Sequence, residues 1–126
     1  AVLEGYACVL CVETGADLSA LQNCLKVSEE MIASGDSSRY SDMNQSFHYE
    51  IWNASGNEKL VTMLSELWNG LSMGVQTTER EYAKKSFAEH KKIYEAIAAK
   101  DAETARAQME KHIRRSLEDM LTRYRE

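Results

Sequence analysis

The chain contains no proline and only six glycines in 126 residues. Sheet proteins reverse direction often, and tight reversals draw heavily on those two residues. Proline also breaks helix interiors, so its absence leaves long helices uninterrupted. An all-α fold is therefore expected. The length falls within the roughly 100–200 residues of one domain, so residues 1–126 form a single unit with its own core. Fifteen Lys and Arg stand against twenty Asp and Glu, a formal charge of −5. Gripping nucleic acid needs a basic face, so this chain is not expected to do so by itself. An apolar share of 44% with 28% charged residues fits a folded domain rather than a disordered one. No apolar run approaches the roughly 18 residues of a membrane span, and no basic-then-apolar export pattern opens the sequence.

Three cysteines are an odd number in a chain that is neither short nor Cys-rich. A disulfide framework is not expected, and a reducing, cytoplasmic setting is. Cys8 and Cys11 form a C-x-x-C, but no second pair completes a zinc site and no strand precedes it. Among Tyr6, Val9, Leu10 and Val12 the two thiols read as small packing residues.

Hydrophobic periodicity divides the chain into six helical segments. The first covers about 1–13 and is apolar on most sides, which predicts a central helix. Its first residue is already inside the pattern with no cap before it, so the domain is expected to continue an earlier segment. Residues 14–17 break the pattern. The second helix carries Leu18, Leu21, Leu25 and Ile32 and ends at Gly35 as at a left-handed cap. Asp36, Ser37 and Ser38 offer N-caps for the third, which runs to about Ser55. Gly56 stops it and Asn57 starts the fourth, which continues to Val75. Residues 76–81 form an expected loop. The fifth spans roughly 82–99, and Asp101 caps a sixth that runs to about Tyr124. Loops this short join antiparallel neighbours in a bundle.

The three histidines fall on three different helices, each within an inward stripe. The third helix presents Tyr40, Met43, Asn44, Phe47, His48, Ile51 and Trp52, with Asn44 and His48 at i, i+4 and pointing the same way. The fifth presents Tyr82, Phe87, His90, Ile93, Tyr94 and Ile97. The sixth presents Ala105, Met109, His112, Ile113, Leu117 and Met120, with Ser116 on the same face. One reading is three separate core histidines, each satisfied by a hydrogen bond. The other brings three neutral imidazoles and the Asn44 amide oxygen to one point, a set that suits zinc, nickel, copper or iron.

The ordered run Asn44-x-x-Phe47-His48, Ala54-Ser55-Gly56-Asn57, Ser86-x-x-Glu89-His90, Ile93, Ala96-Ile97, Asp101-Ala102 and Met109-x-x-His112 resembles the effector-binding domain of GntR-type transcription regulators. The similarity is to the FadR-like subfamily, whose C-terminal domain is called FCD, and it runs from about residue 2 to about residue 120. It implies an antiparallel bundle of six to seven helices. It implies a divalent metal, zinc or nickel, held by Asn44, His48, His90 and His112. A small organic acid would sit beside the ion. It also implies a homodimer, and operator DNA bound through an N-terminal winged helix-turn-helix domain that is absent from this chain. The effector-contacting residues stay unknown.

Two departures from that pattern carry consequences. Most metal-binding relatives have Asp where this chain has Asn44. A neutral amide leaves the ion's charge without an offset from the protein, so weaker metal binding and a stronger pull on an anion are expected. An arginine that helps hold the effector in relatives would fall just before Ala1.

Two other functions compete. A metal-free module could hydrogen-bond an acid or acyl ligand through the histidines. A metal-dependent hydrolase would need a base at the ion. Glu89 lies about 100° round the helix from His90, and Glu50 about 200° from His48, so both are expected to face elsewhere. Neither H-E-x-x-H nor Glu-x-x-His is present, so an enzyme is not expected. Trp52 and Trp68 read as core anchors, and Arg114-Arg115 as part of a solvated helix end.

Overall fold

The computed structural model describes residues 1–36, 39–71 and 80–125, with side chains described over 1–36, 39–68 and 82–119. Six helices run through these residues: α1 (Val2–Thr14), α2 (Ser19–Ala33), α3 (Tyr40–Ala54), α4 (Glu58–Leu71), α5 (Arg80–Ala98) and α6 (Ala102–Arg125). No strand occurs among them. The expected all-α bundle is what the chain forms.

Helix α1 is the central element, touching α3, α4, α5 and α6. Apart from Glu4, its buried residues are small, Gly5, Ala7, Cys8 and Cys11, which let neighbouring helices come close. A Cβ at Gly5 would sit 3.0 Å from Cγ of both Arg106 and Glu110, so the crossing of α1 and α6 depends on its missing side chain. Cys8 and Cys11 are free thiols inside the core, and burial raises both pKa values. A buried, protonated thiol packs as a small hydrophobe, as expected from the sequence. Around α1 the core gathers Phe47, Ile51 and Trp52 of α3, Leu60 and Leu64 of α4, Ile93 and Ile97 of α5, and Met109 of α6.

The helix ends follow local chemistry closely. Asn57 Oδ1 accepts the Leu60 amide and Asp101 Oδ1 accepts the Thr104 amide, so both expected N-caps are made. Gly35 (φ 80°) and Gly56 (φ 73°) take the left-handed turn that ends α2 and α3.

Several boundaries differ from the sequence reading. Arg39 occupies the N-cap of α3 without a side-chain bond, and Ser37 and Ser38 lie outside the described residues. Helix α5 begins at Arg80, two residues before its expected start, and the expected stretch of α4 beyond Leu71 lies outside the described residues. Leu117, placed on the inward stripe of α6, is 45% exposed. It stands five residues past His112, about 140° further round the helix, so both cannot face the core.

Candidate metal centre

Helices α3, α5 and α6 bring His48, His90 and His112 to one point inside the bundle. Their exposures are 1%, 1% and 2%. One ring nitrogen from each lies within 4.8 Å of the other two. His48 Nε2 and His112 Nε2 stand 3.3 Å apart. That is about the edge of a tetrahedron built on metal–nitrogen bonds of roughly 2.0–2.1 Å, so the third ring has to close by only on the order of 1 Å. The ring centroids are 5.2, 5.2 and 4.8 Å apart. Phe47 stacks on His90 at 4.0 Å, and Trp68 tilts against His48 at 5.0 Å.

Each imidazole turns its other nitrogen outward to a partner. His48 Nδ1 lies 2.8 Å from Glu4 Oε2. The approach is ion-pair close but short of hydrogen-bond alignment, and neither atom has another partner. Glu4 Oε1 accepts a hydrogen bond from Trp52 Nε1. His90 Nδ1 faces the Tyr40 hydroxyl at 3.5 Å, and that hydroxyl donates to Ser86 Oγ at 2.7 Å. His112 Nδ1 meets Glu89 Oε1 at 2.6 Å, and Glu89 also accepts from Arg115 Nε at 2.6 Å. A carboxylate can only accept, so Nδ1 of His112 carries the hydrogen and its Nε2 keeps a lone pair.

Two of the four expected ligands offer a buried polar atom that has no partner. His90 Nε2 is buried and unbonded, and so is Asn44 Oδ1, one turn before His48 on α3. His48 can donate to His112 Nε2 only by carrying its hydrogen on Nε2; with Nδ1–H in both rings, two lone pairs face one another at 3.3 Å. Burial lowers the pKa of His90 well below 6.5, with His112, His48 and Arg115 adding to the effect. Burial likewise lowers that of His112, against the pull of Glu89. Neutral imidazoles with free inward lone pairs are the form in which histidine binds a cation. The donor set therefore fits a divalent transition ion.

Three sequence expectations need correction. Glu89 does not face away from the site. The flank 100° round from His90 is the one against which α6 packs, so Glu89 reaches His112 on that neighbour. It stands behind the ring, on the Nδ1 side of His112 and not at its Nε2. Arg115 is not a solvated helix end. It is 18% exposed and paired to Glu89, with Asp119 one turn further on. Burial pushes the Glu89 carboxyl up, but the bonds from His112 and Arg115 outweigh it and hold its pKa at about 2. Glu4 was missed altogether. Its sequence signal is the one acid in the otherwise apolar run of residues 1–12, and it is 5% exposed. Burial raises its pKa, yet His48 and Trp52 pull it below the usual carboxylate value. With Glu4 and Glu89 behind two of the rings, the expectation that the protein sets no charge against an ion beside Asn44 does not hold.

Comparison with known proteins places the chain in a family. The FCD domain profile matches residues 1–115. The HTH-type transcriptional regulator LutR of Bacillus subtilis (strain 168) is 33% identical over 88% of this chain. The chain spans about half of that relative's length, 52%. The solved structure of E. coli McbR/YncC shares the fold with a TM-score of 0.79 at 22% identity, over 97% of this chain and 60% of that one. LutR carries the name of a transcriptional regulator and not of an enzyme, in line with the sequence expectation. Matched by that profile over most of its length, the chain belongs to the FCD domain family.

Proposed function

We propose that this chain is the sensor domain of a GntR-type transcription regulator, holding a divalent metal, zinc or nickel, through Asn44, His48, His90 and His112, and a small organic acid beside it. The observation that supports the reading is three buried rings with one nitrogen each within 4.8 Å of the others, their outer nitrogens facing Glu4, Tyr40 and Glu89, while His90 Nε2 and Asn44 Oδ1 are buried without a partner. Metal-ligating histidines commonly show this pattern, each outer nitrogen tied to a carboxylate, hydroxyl or carbonyl that orients the ring. When bound, the ion would offer open coordination positions to a carboxylate. The chain's own residues do the rest. Phe47 and Trp68 wall the rings from water. The donors come from α3, α5 and α6, so a ligand drawn to their meeting point acts on three helices together. The effector then favours one bundle arrangement by its differential affinity for the two. In the intact regulator, working as a homodimer, that bias would reset how two N-terminal winged helix-turn-helix domains sit on the half-sites of an operator.

Elemental analysis of the purified chain tests the ion. About one zinc or nickel per chain is expected, with none after His90→Ala or His112→Ala. A chain that folds, melts cooperatively and carries no ion would overturn the metal reading. Thermal shift with a panel of small carboxylic acids tests the sensor. Stabilisation by an acid that chelation abolishes is expected, and stabilisation that survives chelation would favour direct binding by the histidines.

A further inference from the structure

We propose that Glu4, reaching in from the central helix α1, is the positioning residue of the metal centre: it fixes His48 with Nε2 inward and supplies the negative charge that the ligands themselves lack. The proposal rests on the metal reading above. Three neutral imidazoles and one amide bring no charge to a buried divalent ion. Of the groups behind the rings, the Tyr40 hydroxyl is neutral, and Glu89 shares its charge with Arg115 through bonds of 2.6 Å. Among the described residues no Lys or Arg pairs with Glu4, whose ion-pair partner is His48. It is buried at 5% exposure, a costly place for a carboxylate that served only packing.

The orientation of Glu4 is set by chemistry that cannot be reversed. The Trp52 indole N–H is a donor only, so the oxygen facing it must accept. The second oxygen faces His48 Nδ1 at 2.8 Å. An acceptor there holds the hydrogen on Nδ1 and leaves the lone pair on Nε2, the atom 3.3 Å from His112 Nε2.

Glu4→Gln then has a specific consequence. Trp52 pins the amide oxygen, so the amide NH2 must face His48 Nδ1. A donor in that place requires Nδ1 to accept, and the ring hydrogen moves to Nε2, where it closes the centre. One substitution of nearly equal size removes the charge and reverses the tautomer. Adding Trp52→Phe releases the pin. The amide can then turn its oxygen to His48 and restore the Nδ1–H form, without restoring the charge.

The test measures zinc affinity of the whole chain by competition with a chromogenic chelator, and imidazole tautomers of the metal-free chain by nitrogen-15 NMR. In the native chain His48 is expected as Nδ1–H. In Glu4→Gln it is expected as Nε2–H, with zinc bound about 10–100-fold more weakly. The double variant should regain the Nδ1–H signature and recover part of the affinity. A purely structural role for Glu4 would not move the tautomer back and forth. The proposal is overturned if native His48 is Nε2–H, a measurement that needs no variant, or if Glu4→Gln binds zinc as the native chain does. A native chain that binds no zinc overturns the metal reading instead, while the tautomers still report on Glu4.

Discussion

Acid should unfold this protein in two stages, because its buried histidines and carboxylates titrate out of step with the unfolded chain. His90 and His112 have pKa values below 6.5 in the fold. The unfolded chain therefore takes up protons first, and the stability these rings contribute is complete above pH 6.5 and lost as pH falls from there. Glu89 is held at about 2 against an ordinary 4.5, so its contribution is complete above pH 4.5 and drains as pH falls toward 2. Urea melts of the metal-free chain from pH 8 to pH 3 should show a plateau above about 6.5, a first decline below it, and a second below about 4.5 that Glu89→Gln reduces, with Glu4 supplying part of the remainder. A midpoint that stays flat or rises between pH 7 and pH 5 would count against the buried neutral rings. At this scale the three histidines were legible, since each interrupts an apolar stripe at helical spacing. Glu4, Glu89 and Arg115 were not, because their partners lie on other helices and a helical wheel reports angles within one helix only.

Element boundaries were legible wherever a side chain caps its own helix. Asn57 and Asp101 did so, and both helices start where they should. The turn between α5 and α6 hides a feature that no pattern signals. Lys100 has φ 59°, the left-handed region, and closes α5 with its amide bonded to Ile97 O and the Asp101 amide to Ala96 O. Glycine commonly fills this position, since a side chain there costs roughly 1 kcal/mol. Lys100 is exposed, so Lys100→Gly touches no packing. It is expected to stabilise the chain by about 1 kcal/mol and to raise the melting temperature by roughly 4 °C. An unchanged or lower melting temperature in a thermal scan would show that the turn carries no such strain. Helix α3 begins at Tyr40 with Arg39 at its N-cap and no side-chain cap bond from it.

Across the whole molecule, the arrangement answers why a small bundle tolerates so many buried polar groups. Four helices send Glu4, His48, His90 and His112 to one place, and each ring is braced from outside by a different residue. The fold class was readable from the missing prolines and the six apolar periodicities. The meeting of three separate helices at one point was not, since periodicity fixes a face and leaves the rotation of one helix against another open. The proposed shared cation would account for both the convergence and the unpartnered His90 Nε2. The most direct measurement is a crystal structure of the purified chain with diffraction collected on both sides of the zinc and nickel absorption edges. One anomalous peak is expected, within about 2.0–2.2 Å of Nε2 of His48, His90 and His112 alike. Three rings hydrogen-bonded to water or to one another, with no anomalous peak between them in a metal-replete preparation, would contradict the account.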